Sequence, residues 1–256
     1  MDDQYNLDIS SSNLKELPND LPDDLLILSC NNNQLKKINN IPHSIQKIYC
    51  YNNQITELPS NLYGLKILSC HNNYLKELSL DGVHFDLPDS LQLLSCSYNQ
   101  LKELPTKLPI CLLKLYCHHN KLKHLPSVLP KSLQVLDCSY NELMQLPLLP
   151  DSLKIINCSN NKLIELNLIY TLEKVTCDNN KYLYISKENA KRFNLVETSN
   201  YIKKAIHIQR IWRAKRRLKR LLFMKELQQH IDIFWFKPGN GGYIELADKN
   251  KTFYGN

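Results

Sequence analysis

Nine cysteines and eight histidines are the residues of this 256-residue chain best equipped for chemistry. Eight of the thiols keep one spacing: Cys30, Cys50, Cys70, Cys96, Cys117, Cys138, Cys158 and Cys177 recur every 19 to 21 residues, with one gap of 26. Such thiols could pair, bind zinc, act as nucleophiles or fill a core. No Cys-x-x-Cys pair offers half of a zinc site. Strands about 4.8 Å apart exceed the Cβ separation of about 3.8 Å that a disulfide needs. A nucleophile needs exposure and a lowered pKa, and an inward-facing strand slot supplies neither. The column therefore reads as free, buried thiols acting as small hydrophobes. Cys111 falls outside it. His71, His118 and His119 lie near the end of the same segment, with His124 a few residues on. They read as polar surface residues rather than metal ligands. No Ser-His-Asp set, phosphate loop or His-Glu-x-x-His appears. No catalytic residue, cofactor or metal is expected.

The elements that must position these residues come from a repeat. The segment Leu25-Leu-Ile-Leu28-Ser-Cys30-Asn-Asn-Asn33-Gln-Leu35 recurs down the chain. Asparagine follows each column cysteine by three residues, at Asn33, Asn53, Asn73, Asn99, Asn120, Asn141, Asn161 and Asn180. Leu28 and Cys30 are two apart, so on a strand they share the inward face. The Asn amide sits where the chain turns away and can satisfy backbone groups of adjacent coils. Asn120→Ala is expected to cost on the order of 1–3 kcal/mol. The other half of each unit reads Leu-Pro-x-x-Leu-Pro-x-Ser-Leu, as at Leu104-Pro105 and Leu108-Pro109. Eleven of the twelve prolines fall there, which predicts an extended or polyproline-like stretch rather than a helix.

This pattern resembles the leucine-rich repeat, with Cys in place of the third Leu, over roughly residues 4 to 185. The resemblance implies an α/β repeat solenoid, a horseshoe with short parallel strands on the concave face; the prolines make its convex side extended, and residues 186 to about 236, free of Gly and Pro, read as an α-helical C-terminal tail. The resemblance also implies about eight repeats, preceded by a degenerate capping unit in which Leu7, Ile9, Ser12 and Leu14 fill the slots. Residues 1–185 form the solenoid in this reading and 186–256 the tail. The 26-residue gap places an inserted loop near Ser79 to His84. The short period is similar to the repeats of secreted bacterial effectors. Effectors of that type often carry a Cys-dependent ubiquitin ligase domain, but no cysteine follows Cys177 here. The Cys slot, with abundant Asn, Ile, Lys and Tyr, also resembles repeat proteins of amoeba-infecting giant viruses of the mimivirus kind.

Between the buried slots lie exposed ones. They carry Tyr49, Tyr51, Ile67, His71, Leu93, Tyr116, His118, Val135 and Ile155, and the slot two past the cysteine adds Tyr98, His119 and Tyr140. A Tyr-rich, sparsely charged sheet surface suits a protein partner, though Ile and Val there also suit strand propensity. Basic residues lie elsewhere, so this face is not expected to bind nucleic acid.

The formal net charge is +7, yet residues 201–225 hold ten Lys or Arg and no acid, leaving −3 (7 − 10) for the rest. Apolar residues Tyr201, Ile208, Ile211, Trp212, Leu218 and Leu222 recur at helical steps through 186 to about 236, which lacks Gly and Pro. Residues 205–222 resemble an IQ motif. Ile208, Gln209 and Arg213 match, Ala214 replaces Gly, and the last basic slot falls on Leu218 between Arg217 and Lys219. Trp212 precedes the Arg, and Leu221 supplies the terminal apolar residue. The resemblance implies calmodulin or a related EF-hand protein as partner. The segment could instead cap the solenoid, lie on an anionic membrane or contact nucleic-acid phosphates. With an acidic, polar start and free thiols, a cytoplasmic setting is expected, the host cytosol for a viral protein.

Overall fold

The computed structural model describes residues 5–59, 62–78, 87–181 and 183–195. Nine three-residue strands run through it: β1 (Asn6–Asp8), β2 (Ile27–Ser29), β3 (Lys47–Tyr49), β4 (Ile67–Ser69), β5 (Leu93–Ser95), β6 (Lys114–Tyr116), β7 (Val135–Asp137), β8 (Ile155–Asn157) and β9 (Lys174–Thr176). They form one sheet in chain order. Every neighbouring pair is parallel and in the same register, so Leu28, Ile48, Leu68, Leu94, Leu115, Leu136 and Ile156 make one continuous column. All seven are fully buried. Strand alternation explains the pattern, because the middle residue of each three points inward and its neighbours outward.

The described residues form a parallel β-solenoid. The α/β expectation narrows accordingly, since no helix covers the side opposite the sheet among the described residues. A proline or its stand-in opens the turn before each strand from β2 to β9. Leu25 N–H donates to Pro22 O at 3.1 Å, and Leu112 N–H donates to Pro109 O at 3.1 Å. Proline suits that place because only its carbonyl is used. The Ser79 to His84 insertion lies outside the described residues.

One helix, α1 (Lys187–Phe193), follows β9. Ser186 caps its start, and Asn194 ends it in the left-handed region at φ 52°. The continuous helix expected from residue 186 therefore stops after two turns. Lack of Gly and Pro did not exclude a stop, because Asn also tolerates that conformation. Ala190 is buried, and Phe193 and Leu195 pack against the core. The Arg192 guanidinium donates to Tyr170 O and Leu172 O. Residues 205–222 lie outside the described residues.

Candidate functional site: an aromatic rail beside the sheet

The interior column is inert. All nine cysteines are free, and only Cys111 is exposed. Burial pushes the Cys30 and Cys70 thiols up to about 12 and Cys177 to about 11. The same desolvation raises Cys50, Cys96, Cys117, Cys138 and Cys158. A thiol held that far from ionisation is neither nucleophile nor metal ligand.

The asparagine column ties the coils together with one repeated set of bonds. Asn99 shows it: Oδ1 accepts from Leu75 N–H of the preceding coil at 2.9 Å. Its Nδ2 donates to Cys70 O, Cys96 O and Ser97 O, each at 3.1 Å. The bonds from Leu101 N–H to Asn120 Oδ1 and from Asn120 Nδ2 to Cys96 O repeat it.

The Ser of the Leu-Pro-x-Ser-Leu pattern forms a second ladder, a role its place in the repeat did not reveal. Six residues before the column cysteine, Ser or Thr hydroxyls donate to backbone carbonyls of the preceding coil. Ser44 reaches Asp23 O and Leu25 O, both at 2.8 Å, and Ser132 reaches Ile110 O and Leu112 O at 2.7 and 2.8 Å. Ser90, Ser152 and Thr171 repeat this. Arg192 of α1 takes the equivalent carbonyls of the last coil. Cys111 occupies the hydroxyl's slot in one coil, and Gly64 in another. Cys111→Ser should therefore stabilise the protein by about 0.5–1 kcal/mol, read as a higher thermal midpoint. Gly64→Ser should act likewise, since an added Cβ meets only Ile45 O at an ordinary 3.7 Å.

The position two past each column cysteine is left-handed in all eight coils. Five carry Asn, at Asn32, Asn52, Asn72, Asn160 and Asn179, with φ of 54–57°. Asparagine tolerates this region, and its amides also link coil to coil, as from Asn72 Nδ2 to Asn52 Oδ1 at 2.7 Å. The three middle coils break the rule with Tyr98, His119 and Tyr140, at φ 51°, 53° and 51°. A bulky side chain there costs about 1–2 kcal/mol. The three rings stack: Tyr98 on His119 at 4.1 Å and 15°, His119 on Tyr140 at 4.0 Å and 17°. His118 meets Tyr98 and His119 edge-on, both at 5.2 Å. Tyr98 and Tyr140 each remain 49% exposed. The result is a rigid rail of three aromatic rings along the edge of the sheet.

The other expected surface residues spread around it. Tyr51 stacks on His71 at 4.5 Å, two coils earlier. Ile67, Leu93 and Val135 are half-buried on the outward strand face, as are Tyr49 and Tyr116 on theirs, while Ile155 is exposed. Burial holds His71, His118 and His119 below the usual imidazole range, although Asp137 pulls the latter two partly back. His119 completes the rail with Tyr98 and Tyr140, and the signal for it was the slot itself, where five of eight residues are Asn. Among the described residues no group of three or more His, Cys, Asp or Glu could hold a metal ion.

No family model and no curated protein matches this chain. Solved structures do. A leucine-rich-repeat domain of a Shigella effector is 25% identical over 73% of this chain and 72% of its own, with a TM-score of 0.48. YopM, a leucine-rich effector protein from Yersinia pestis, is 25% identical over 71% and 72%, with a TM-score of 0.41. The functional domain of InlJ from Listeria monocytogenes, which includes a cysteine ladder, is 21% identical over 75% of this chain, with a TM-score of 0.50. The match spans 52% of the InlJ chain. That last likeness is one of fold alone.

Proposed function

We propose that the protein is a non-catalytic interaction scaffold whose outward sheet face docks a protein partner, with the Tyr98–His119–Tyr140 rail at its centre. One observation carries this reading: three successive coils keep bulky rings where backbone strain favours the Asn of the other five. Strain kept in this way clusters at functional sites. Preordered tyrosines also bind partners at low entropic cost. Leucine-rich-repeat folds commonly serve as interaction scaffolds, which supports the same reading.

The test replaces the rail with the residue its neighbours use. Tyr98→Asn with His119→Asn and Tyr140→Asn relieves the backbone and extends the Asn ladder, offsetting the lost stacking of about 0.5–1.5 kcal/mol per ring pair. Stability should stay within about 1 kcal/mol of the parent by denaturant titration. Capture of the partner from cell extract should be lost. Capture unchanged by the triple variant would place docking elsewhere.

The segment 205–222 supports a second proposed contact, on its sequence alone: an IQ-like helix for calmodulin or a related EF-hand protein, in a cytosolic setting. The apolar stripe would enter a Met-rich groove and the basic residues would meet acidic lobes. Calmodulin should shift the full chain on a native gel, and Ile208→Asp with Trp212→Ala should abolish the shift. A shift unchanged in that variant would leave the segment to the membrane, nucleic-acid or capping roles.

A further inference from the structure

His118 and His119 turn their Nδ1 atoms toward each other at 3.0 Å. We propose that this pair is a cis bidentate site for a divalent late transition-metal ion, copper(II) foremost. The separation carries the argument. An ion about 2.0–2.1 Å from each imidazole nitrogen would see the two at roughly 90–97°, the angle between adjacent ligands of a tetragonal centre. Imidazole nitrogens with water in the remaining positions suit copper(II) or nickel(II), and copper(II) binds most tightly of the first-row divalent ions. Without an ion, one ring donates its Nδ1–H to the other's Nδ1 at that distance; binding an ion would shift this proton to Nε2 of the same ring and free both Nδ1 lone pairs.

Both donors are held in place before any ion arrives. His119 is clamped between Tyr98 and Tyr140 at 4.1 and 4.0 Å, and its backbone is kept left-handed. His118 packs edge-on against Tyr98 and His119. The Asp137 carboxylate acts electrostatically on both rings and favours positive charge between them. Its oxygens are occupied by Ser139 and Asn157, so it serves as a fixed counter-charge rather than a third ligand. Each histidine has a ready substitute in the repeat, since Asn31 stands at the slot of His118 and Asn at that of His119 in five coils.

The site shares His119 with the docking rail, but copper binding is read with no partner present, so the two proposals fail separately. The experiment uses the full chain carrying Cys111→Ser, which removes the exposed thiol that copper(II) would oxidise. Copper(II) titration followed by electron paramagnetic resonance should show one equivalent with hyperfine splitting from two nitrogens. His118→Asn with His119→Asn should bind one equivalent fewer and lose that splitting. His119→Asn alone should weaken that equivalent by at least about tenfold, since the second donor no longer acts at high effective concentration. An unchanged number of equivalents in the paired variant, or a single-nitrogen spectrum from the parent, would overturn the assignment.

Discussion

Asn141→Ala should lower the free energy of unfolding by about 3–5 kcal/mol, read from the midpoint of a urea titration. The side chain accepts from Leu122 N–H at 3.0 Å and donates to Cys117 O, Cys138 O and Ser139 O at 3.0–3.2 Å, all in buried surroundings. Alanine strands a buried amide and at least two carbonyls, at about 1–3 kcal/mol for each unsatisfied group, partly relieved by water. The cost exceeds the expectation stated for Asn120 because the bonds of Asn141 are buried, whereas those of Asn120 are part-buried. Asn141→Asp should do no better, since it removes the donor and buries a charge. Asn33 makes the same bonds at the more exposed N-terminal coil, so Asn33→Ala should cost only about 1 kcal/mol. Equal losses at the two sites would mean that the amides contribute little beyond local turn geometry.

Leu115→Ala should cost about 3–5 kcal/mol, the range for a large-to-small change at a site that cannot collapse. Leu115 is fully buried at the middle of the sheet, paired in register with Leu94 and Leu136. Solenoid stability is a sum of coils and nearest-neighbour contacts, so a central cavity weakens two interfaces at once. Leu7, only partly buried on the first strand, has one neighbouring coil. Leu7→Ala should cost well under half as much. A uniform penalty along the column would contradict the one-dimensional picture.

The features legible in the sequence are those in which one residue type fills one slot. Cys and Asn recur without exception, so strand register, the buried thiol column and the amide column could all be read before any coordinates. Features shared among residue types were hidden. The hydroxyl ladder's Ser stood in the repeat pattern, but with Asp24, Gly64 and Cys111 in the same slot nothing in the sequence marked it as a bond to the preceding coil. The rail was masked in a similar way. Tyr98 and Tyr140 read as exposed aromatics, but their stacking on His119 depends on a left-handed backbone whose one clue is the Asn that fills the same slot in the other five coils. Asn194 ended α1 by the same conformation. Asparagine frequency is the common clue: in this chain it marks left-handed positions where other proteins use glycine.

Eight sulfur atoms face a dry interior, and every strand register follows from that placement. Titration of the undenatured protein with a thiol-specific disulfide reagent at pH 8 measures this directly. One thiol, Cys111, should react promptly, and the other eight only as fast as the chain unfolds. Prompt modification of most of them would show that the column faces solvent, and the register assigned to every coil would be wrong.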